Sequence, residues 1–103
     1  MGATMAYHSS PFDASLAFAA GDDPALVADL QQAFAESVTR QVDLIERARC
    51  DGNWHVAAER LVGLGASFHA PELVELGKRA RAAAPGEPVV LRELRRFADQ
   101  LTL

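Results

Sequence analysis

Apolar residues recur at three- and four-residue steps along much of the chain, which is the spacing of one face of an α-helix. The longest run consists of Val27, Leu30, Phe34, Val38, Val42 and Ile45. Asp23 and Pro24 stand just before this run, and they suit a helix N-cap and a first helical position. The pattern therefore predicts one long amphipathic helix from Pro24 to about Ala48.

Three further helices are predicted after the long helix. Asp51-Gly52 is predicted to be a turn, and Asn53 to cap a helix that runs from Trp54 to about Phe68. Pro71 is predicted to start a helix that ends near Ala83, because proline suits the first helical position. A last helix is predicted from about Val89 to Leu101.

The segment before the long helix is predicted to add one short element. Residues 1–10 are expected to form a flexible tail, and Ala14 to Ala20 a short helix that ends at Gly21. No strand pattern appears, and short connections favour antiparallel neighbours. The predicted fold is all-α: one domain over residues 11–103, an up-down antiparallel four-helix bundle with a short extra N-terminal helix.

Composition narrows the function classes. Half of the 103 residues are hydrophobic, which is enough for one packed core, and the net charge of -4 with no large basic cluster argues against nucleic-acid binding. No stretch resembles a signal peptide or a membrane span, so we expect no membrane association. A single cysteine fits a reducing cytoplasm. The three dispersed histidines predict no metal site, and no cofactor motif is present.

The helix from Trp54 carries the candidate site. A helical wheel places its larger apolar residues in one sector and Glu59 nearly opposite them. Around Glu59 the wheel places His55, Val56, Arg60, Val62, Gly63, Ala66 and Ser67. Gly63 costs about 1 kcal/mol relative to alanine in a helix, and core crowding does not explain it. This outward face is interpreted as a docking surface; alternatively, the N-terminal segment or the first helix covers it.

The same helix carries a resemblance to a known family. The segment from Ala57 to Leu73 resembles the histidine-phosphotransfer (HPt) family, whose motif is H-x-L-K-G followed by G-A-x-x-L. Four positions match the motif: Leu61, Gly63, Ala70 and Leu73. The upstream similarity includes Phe12, Leu16, Gly21-Asp22, Phe34, Asp51-Gly52 and Trp54. The resemblance extends from about Phe12 to Leu101.

Three positions depart from the family pattern. Glu59 stands at the phosphoacceptor histidine, Val62 at the lysine, and His69 at the glycine of the second half. The resemblance therefore implies a non-enzymatic signalling module that binds a response-regulator receiver domain or a histidine kinase without carrying phosphate on the usual histidine. Glu59 offers one planar negative charge, so any mimicry of a phosphorylated histidine would be imperfect.

Alternatives to this interpretation remain open. One alternative is an active phosphorelay carrier in which His55 or His69 is a displaced phosphoacceptor. Otherwise His55 is a surface residue of the first helical turn, and His69 ends the helix in the left-handed conformation. The exposed apolar face also suits a structural, homodimerising bundle, so the chain is expected to be a monomer or a weak homodimer. A last group, Arg92, Arg95 and Arg96, forms either a contact for an acidic partner or a solvated face.

Overall fold

A computed structural model describes residues 23–101 of the chain, which form four α-helices joined by short connections. In chain order the helices are α1 (Pro24–Arg47), α2 (Asp51–Ser67), α3 (Pro71–Ala82) and α4 (Pro88–Leu101). No strand occurs between residues 23 and 101, so the all-α prediction is confirmed for that range. The predicted tail (residues 1–10) and the predicted first helix (residues 14–20) lie outside the described residues.

The start of α1 agrees with its sequence signals. Asp23 is the N-cap, and its Oδ1 accepts hydrogen bonds from the backbone N–H groups of Ala25 at 3.0 Å and Leu26 at 3.3 Å. Pro24 takes the first helical position, where its missing N–H costs no hydrogen bond. Capping of these otherwise unpaired N–H groups fixes where α1 begins.

The start of α2 differs from the prediction. The helix begins at Asp51 with Cys50 as its N-cap, so Asn53 lies inside the first turn and does not cap it. The backbone N–H of Trp54 donates to the Cys50 carbonyl at 3.1 Å, which closes the first helical turn three residues earlier than expected. Asp51 in that first turn also interacts favourably with the helix dipole.

The core lies between all four helices. Helix α1 packs chiefly on α2 and α4, and α3 packs on the same two helices. The largest fully buried side chains are Trp54, Phe34, Ile45, Leu61, Leu73, Leu94, Val38, Val42 and Val90. Within the described range no polar or charged residue is buried as a whole. Any site in this part of the chain must therefore lie on its surface.

Ion pairs join α4 to both of the helices on which it packs. The Arg95 guanidinium on α4 donates to Asp43 Oδ1 at 2.6 Å and to Glu46 Oε1 at 2.7 Å, both on α1. The hydrogen bonds that Arg95 donates raise its pKa, and the bond to Glu46 has a larger effect than the bond to Asp43. Arg79 on α3 donates to Glu93 on α4 at 2.7 Å, and this bond lowers the pKa of Glu93.

The longest helix, α1, has 24 residues, but charged and amide side chains interrupt its apolar positions. Between residues 23 and 101, no helix combines the length and apolar character that are needed to cross a lipid bilayer.

Candidate functional site

Helix α2 is held in place by its single tryptophan. Trp54 is fully buried, and its indole Nε1–H donates to the Ala80 carbonyl of α3 at 2.7 Å. The hydrogen bond satisfies the one polar atom of an otherwise apolar ring, which is the usual condition for burying tryptophan. The first turn of α2 is thereby tied to the end of α3, which fixes the rotation of α2 about its axis.

Two glycines let α2 and α3 approach closely along the rest of their contact. A Cβ built on Gly65 would lie 2.7 Å from the backbone nitrogen of Val74, and one built on Gly77 would lie 2.9 Å from that of Val62. Both distances are below those that real Cβ atoms adopt. Neither glycine can therefore be replaced without a shift of one helix relative to the other.

The close approach determines what surrounds Val62 in the candidate site. The helical wheel places Val62 on a flank of the outward face, and its Cγ2 lies 2.7 Å from the position of a Gly77 Cβ. The side chain therefore packs into the space that Gly77 leaves open on α3, and it is only half-exposed. The apolar side chain of Val62 therefore packs against another helix over part of its surface.

Glu59 lies on the exposed side of α2, opposite the core, where the helical wheel places it. Its charge is not isolated, because Arg81 of α3 donates to Glu59 Oε2 at 3.0 Å. The Glu59 side chain remains 57% exposed and the Arg81 side chain 41% exposed. Water and salt therefore reach the pair, and its net contribution to stability is about 0–1 kcal/mol. The outward position carries a carboxylate with a cation beside it.

The other flank of the outward face borders α1. Val56 and Arg60 line one surface cavity with α1, while Arg60, Gly63 and Ser67 line a second cavity farther along the helix. Nothing lies within 4 Å of a Cβ built on Gly63, so the backbone of α2 is open to solvent there. The predicted patch is thus divided: these four residues face α1, whereas Glu59 and Val62 turn toward α3.

The remaining predicted residues of α2 are exposed and belong to neither part of the divided patch. His55 and Ala66 lie at the surface of α2, and neither lines the two cavities beside α1 or contacts the Glu59–Arg81 pair. His69 follows the helix and has a φ of 54°, as the prediction of a left-handed helix end requires. Its N–H donates to Ala66, and the Ala70 N–H donates to Gly65 at 2.7 Å, which is the Schellman pattern.

Sequence reasoning missed the partners that neighbouring helices supply. Arg81 is one of these partners: its separation of 22 residues from Glu59 gives no local signal in the sequence. The α1 residues that line the two cavities, which include Arg40, Gln41, Leu44 and Arg47, were also missed. Their three- and four-residue spacing marks one stripe of α1 next to the core stripe, and that signal would have found them.

No group of three or more histidine, cysteine, aspartate or glutamate side chains in the described range could hold a metal ion. Comparisons of the chain with protein-family models, with curated proteins and with solved structures returned no match. The geometry of α2 and its neighbours is therefore the basis for a functional interpretation.

Proposed function

We propose that the chain is a degenerate HPt-like signalling module of a cytoplasmic two-component phosphorelay, with up-down bundle topology. It binds a response-regulator receiver domain and carries no phosphate on the usual histidine. The observation that carries the proposal is Gly63: a mid-helix glycine on an exposed face, with no atom within 4 Å of the Cβ position. No contact within the described chain requires a glycine there, whereas close approach by a partner does.

The surroundings of the motif positions support the same proposal. Leu61 and Leu73 are fully buried, and Ala70 is 5% exposed, so these matching positions serve the core. His69 stands where the family motif has glycine, and its backbone has the positive φ that glycine adopts most easily. The departure at His69 therefore changes the side chain at a position whose backbone suits the family residue.

The residue at the phosphoacceptor position argues against phosphotransfer by the usual route. Glu59 offers a carboxylate, which cannot form the phosphoimidazole of the family relay. Arg81 donates to that carboxylate at 3.0 Å, so a cation stands beside the position although Val62 replaces the motif lysine. The proposed role is therefore binding, and Arg81 is the residue that would stabilise negative charge at this point of the surface.

Binding is tested with a panel of purified receiver domains from the same organism, titrated onto the immobilised chain. We expect at least one receiver to bind, and Gly63→Trp to weaken that binding about tenfold or more because the ring blocks a central contact. Gln100→Trp is the matched control, since α4 packs on α1 and α3 and lies across the bundle from α2. Absence of binding by every receiver, or equal losses in both variants, would contradict the proposal.

Phosphotransfer is tested separately with receiver domains that carry a labelled phosphoryl group. We expect no acid-labile, base-stable label on the natural chain. We expect such label on Glu59→His, which restores the family residue on the proposed docking surface. If the natural chain is labelled and His55→Gln or His69→Gln abolishes the label, the chain is an active carrier and the proposed role is wrong.

A further inference from the structure

A groove runs along the surface between α1 and α2. Two cavities of about 470 and 370 Å³ adjoin end to end, and Gln41 and Arg60 line both of them. On α2 the lining extends from Asn53 to Ser67, which corresponds to about 21 Å at 1.5 Å per residue. This length matches about four turns of a helix, so the groove suits a segment of polypeptide better than a small molecule.

Apolar side chains form much of the floor of the groove, on both sides of Gln41, which lines both cavities. Leu44 of α1 is 38% exposed and Val56 of α2 is 49% exposed, and both line the same cavity. Only four large hydrophobic side chains are classed as exposed between residues 23 and 101, and two of them lie here. Farther along the groove the half-buried Leu64 and Phe68 continue this surface. A partner that covers the groove must therefore supply apolar side chains.

The edges of the groove are cationic. Arg40, Arg47 and Arg60 line it, and within the described part of the chain none of them forms an ion pair. Arg47 lies in the last turn of α1, where a cation interacts favourably with the helix dipole, so its presence has a structural explanation. Arg40 lies one helical turn after Glu36 and also lines a cavity with Glu36 and Asp43 on another side of α1. Arg60 has neither explanation.

The acidic residues next to the groove are engaged on its outer sides. Glu59 pairs with Arg81, Glu46 and Asp43 pair with Arg95, and Glu36 accepts a hydrogen bond from Gln32. The groove thus keeps positive charge on a chain whose net charge is -4. An apolar floor between cationic edges is complementary to a helix with one apolar stripe and acidic flanks.

We propose that the groove between α1 and α2 binds an acidic amphipathic helix of a partner protein. Apolar residues at three- and four-residue steps of the partner pack on Leu44, Val56 and Leu64, while its carboxylates pair with Arg40 and Arg60. Gly63 of the family motif and the predicted docking residues Val56, Arg60 and Ser67 also line the groove. The apolar and cationic lining selects an acidic amphipathic helix whether or not the partner is a receiver domain. This proposal goes beyond the proposed function because it assigns the site to the α1 side of α2.

The test uses a fluorescein-labelled synthetic peptide of about 18 residues, long enough for the groove at 1.5 Å per residue. It carries a leucine stripe at helical spacing with glutamates on both flanks. Two control peptides have either the same composition in scrambled order or lysine in place of glutamate. We expect fluorescence anisotropy to show saturable binding of the acidic amphipathic peptide only, with an affinity that falls between about 50 mM and about 300 mM salt.

Charge reversal in the protein locates the site. Arg40→Glu with Arg60→Glu should weaken peptide binding about tenfold or more. The matched control is Arg92→Glu with Arg96→Glu: these arginines also form no ion pair within residues 23–101, but they lie on α4. We expect this control to bind within about twofold of the natural chain, because exposed charges on a distant helix are screened. Circular dichroism establishes that both double variants are folded.

The outcomes separate this inference from the receiver-domain proposal. Failure of the acidic peptide to bind, equal binding of the scrambled peptide, or equal losses in the two double variants would overturn the groove assignment. Chemical-shift changes upon peptide addition should map to α1 and α2, and changes confined to α3 and α4 would also overturn it. Receiver binding that depends on Gly63 but is unchanged by Arg40→Glu and Arg60→Glu would leave only the proposed function standing.

Discussion

Two glycines in neighbouring helices should respond in opposite ways to the same substitution. Gly63 lies on the open face of α2, whereas Gly77 lies in α3 against α2. Alanine in place of glycine inside a helix is favourable by about 0.5–1 kcal/mol, because the unfolded chain loses less conformational freedom. Gly63→Ala should therefore raise the free energy of unfolding by about that amount.

Gly77→Ala obtains the same helix propensity but meets occupied space. Its Cβ would lie 2.7 Å from Val62 Cγ2, 2.9 Å from Val62 N and 3.3 Å from the Ala58 carbonyl oxygen. Two of these atoms belong to the backbone of α2, so relief requires the helices to separate. Overpacking of this kind costs about 1–3 kcal/mol, so after the propensity gain we expect Gly77→Ala to lower the free energy of unfolding by about 1–2 kcal/mol.

Urea unfolding followed by far-ultraviolet circular dichroism measures both changes. With a slope of about 1 kcal/mol per molar urea for a chain of this size, the two alanine variants should differ in midpoint by about 1.5–3 M. Adding Val62→Ala to Gly77→Ala should recover only part of the loss from the clash, since it removes the methyl contact but not the backbone contacts. A Gly77→Ala variant as stable as the natural chain would refute the close approach of α2 and α3.

Substitutions at three other positions probe two helix ends and the ion pairs of Arg95, with urea midpoints as the measurement in each case. His69→Gly should stabilise the chain by about 1 kcal/mol, since glycine adopts a positive φ without strain; an unchanged or lower midpoint contradicts the left-handed helix end. Arg95→Ala should destabilise the chain by about 1 kcal/mol. Arg95→Lys should retain only part of that stability, because lysine cannot donate to Glu46 through two nitrogens at once. A lysine variant as stable as the natural chain contradicts that geometry. The pKa of Glu87 is lowered from 4.5 by hydrogen bonds that its carboxylate accepts from the Val90 and Val89 N–H groups. The contribution of Glu87 to stability is therefore complete above a pH of 4.5 and is lost as pH falls through the lower pKa of the folded state. Each chain has one urea midpoint at about pH 7 and another at about pH 3, and Glu87→Gln should make these two midpoints differ by less than they do in the natural chain. An unaltered difference contradicts the role of this cap.

Local signals in the sequence predicted most of the helical architecture. Asp23 and Pro24 mark the start of α1, and the helix begins at Pro24. The predicted helix from Pro71 to about Ala83 occurs as Pro71–Ala82. These boundaries depend on caps and proline, whose effects act within one turn. The predicted start of α2 is wrong. Asp51-Gly52 is typical of a turn, but the Cys50 carbonyl accepts a hydrogen bond from the Trp54 N–H, so the helix already includes these two residues.

The candidate site was predicted less completely, because its neighbours come from other helices. The wheel correctly placed Glu59 on the exposed side of α2, but it could not show that Arg81 reaches the same carboxylate. It places Val62 on a flank of the outward face, but a wheel assigns only direction, whereas the distance between α2 and α3 decides how much of that side chain is exposed. That distance is set by Gly77, a residue that carries no outward signal of its role.

The electrostatics of α2 follow from these contacts and bear on how its surface can act. A lone carboxylate at Glu59 would resemble the negative charge of a phosphorylated histidine, but Arg81 at 3.0 Å offsets much of that charge at short range. On the other flank, Arg60 and Arg40 face the groove without a carboxylate partner in the described part of the chain. The open surface beside Gly63 is therefore cationic on its α1 side and nearly neutral on its α3 side. A partner guided by charge would approach α2 from the α1 side with its own acidic surface, so recognition on that flank does not require Glu59 to imitate a phosphate.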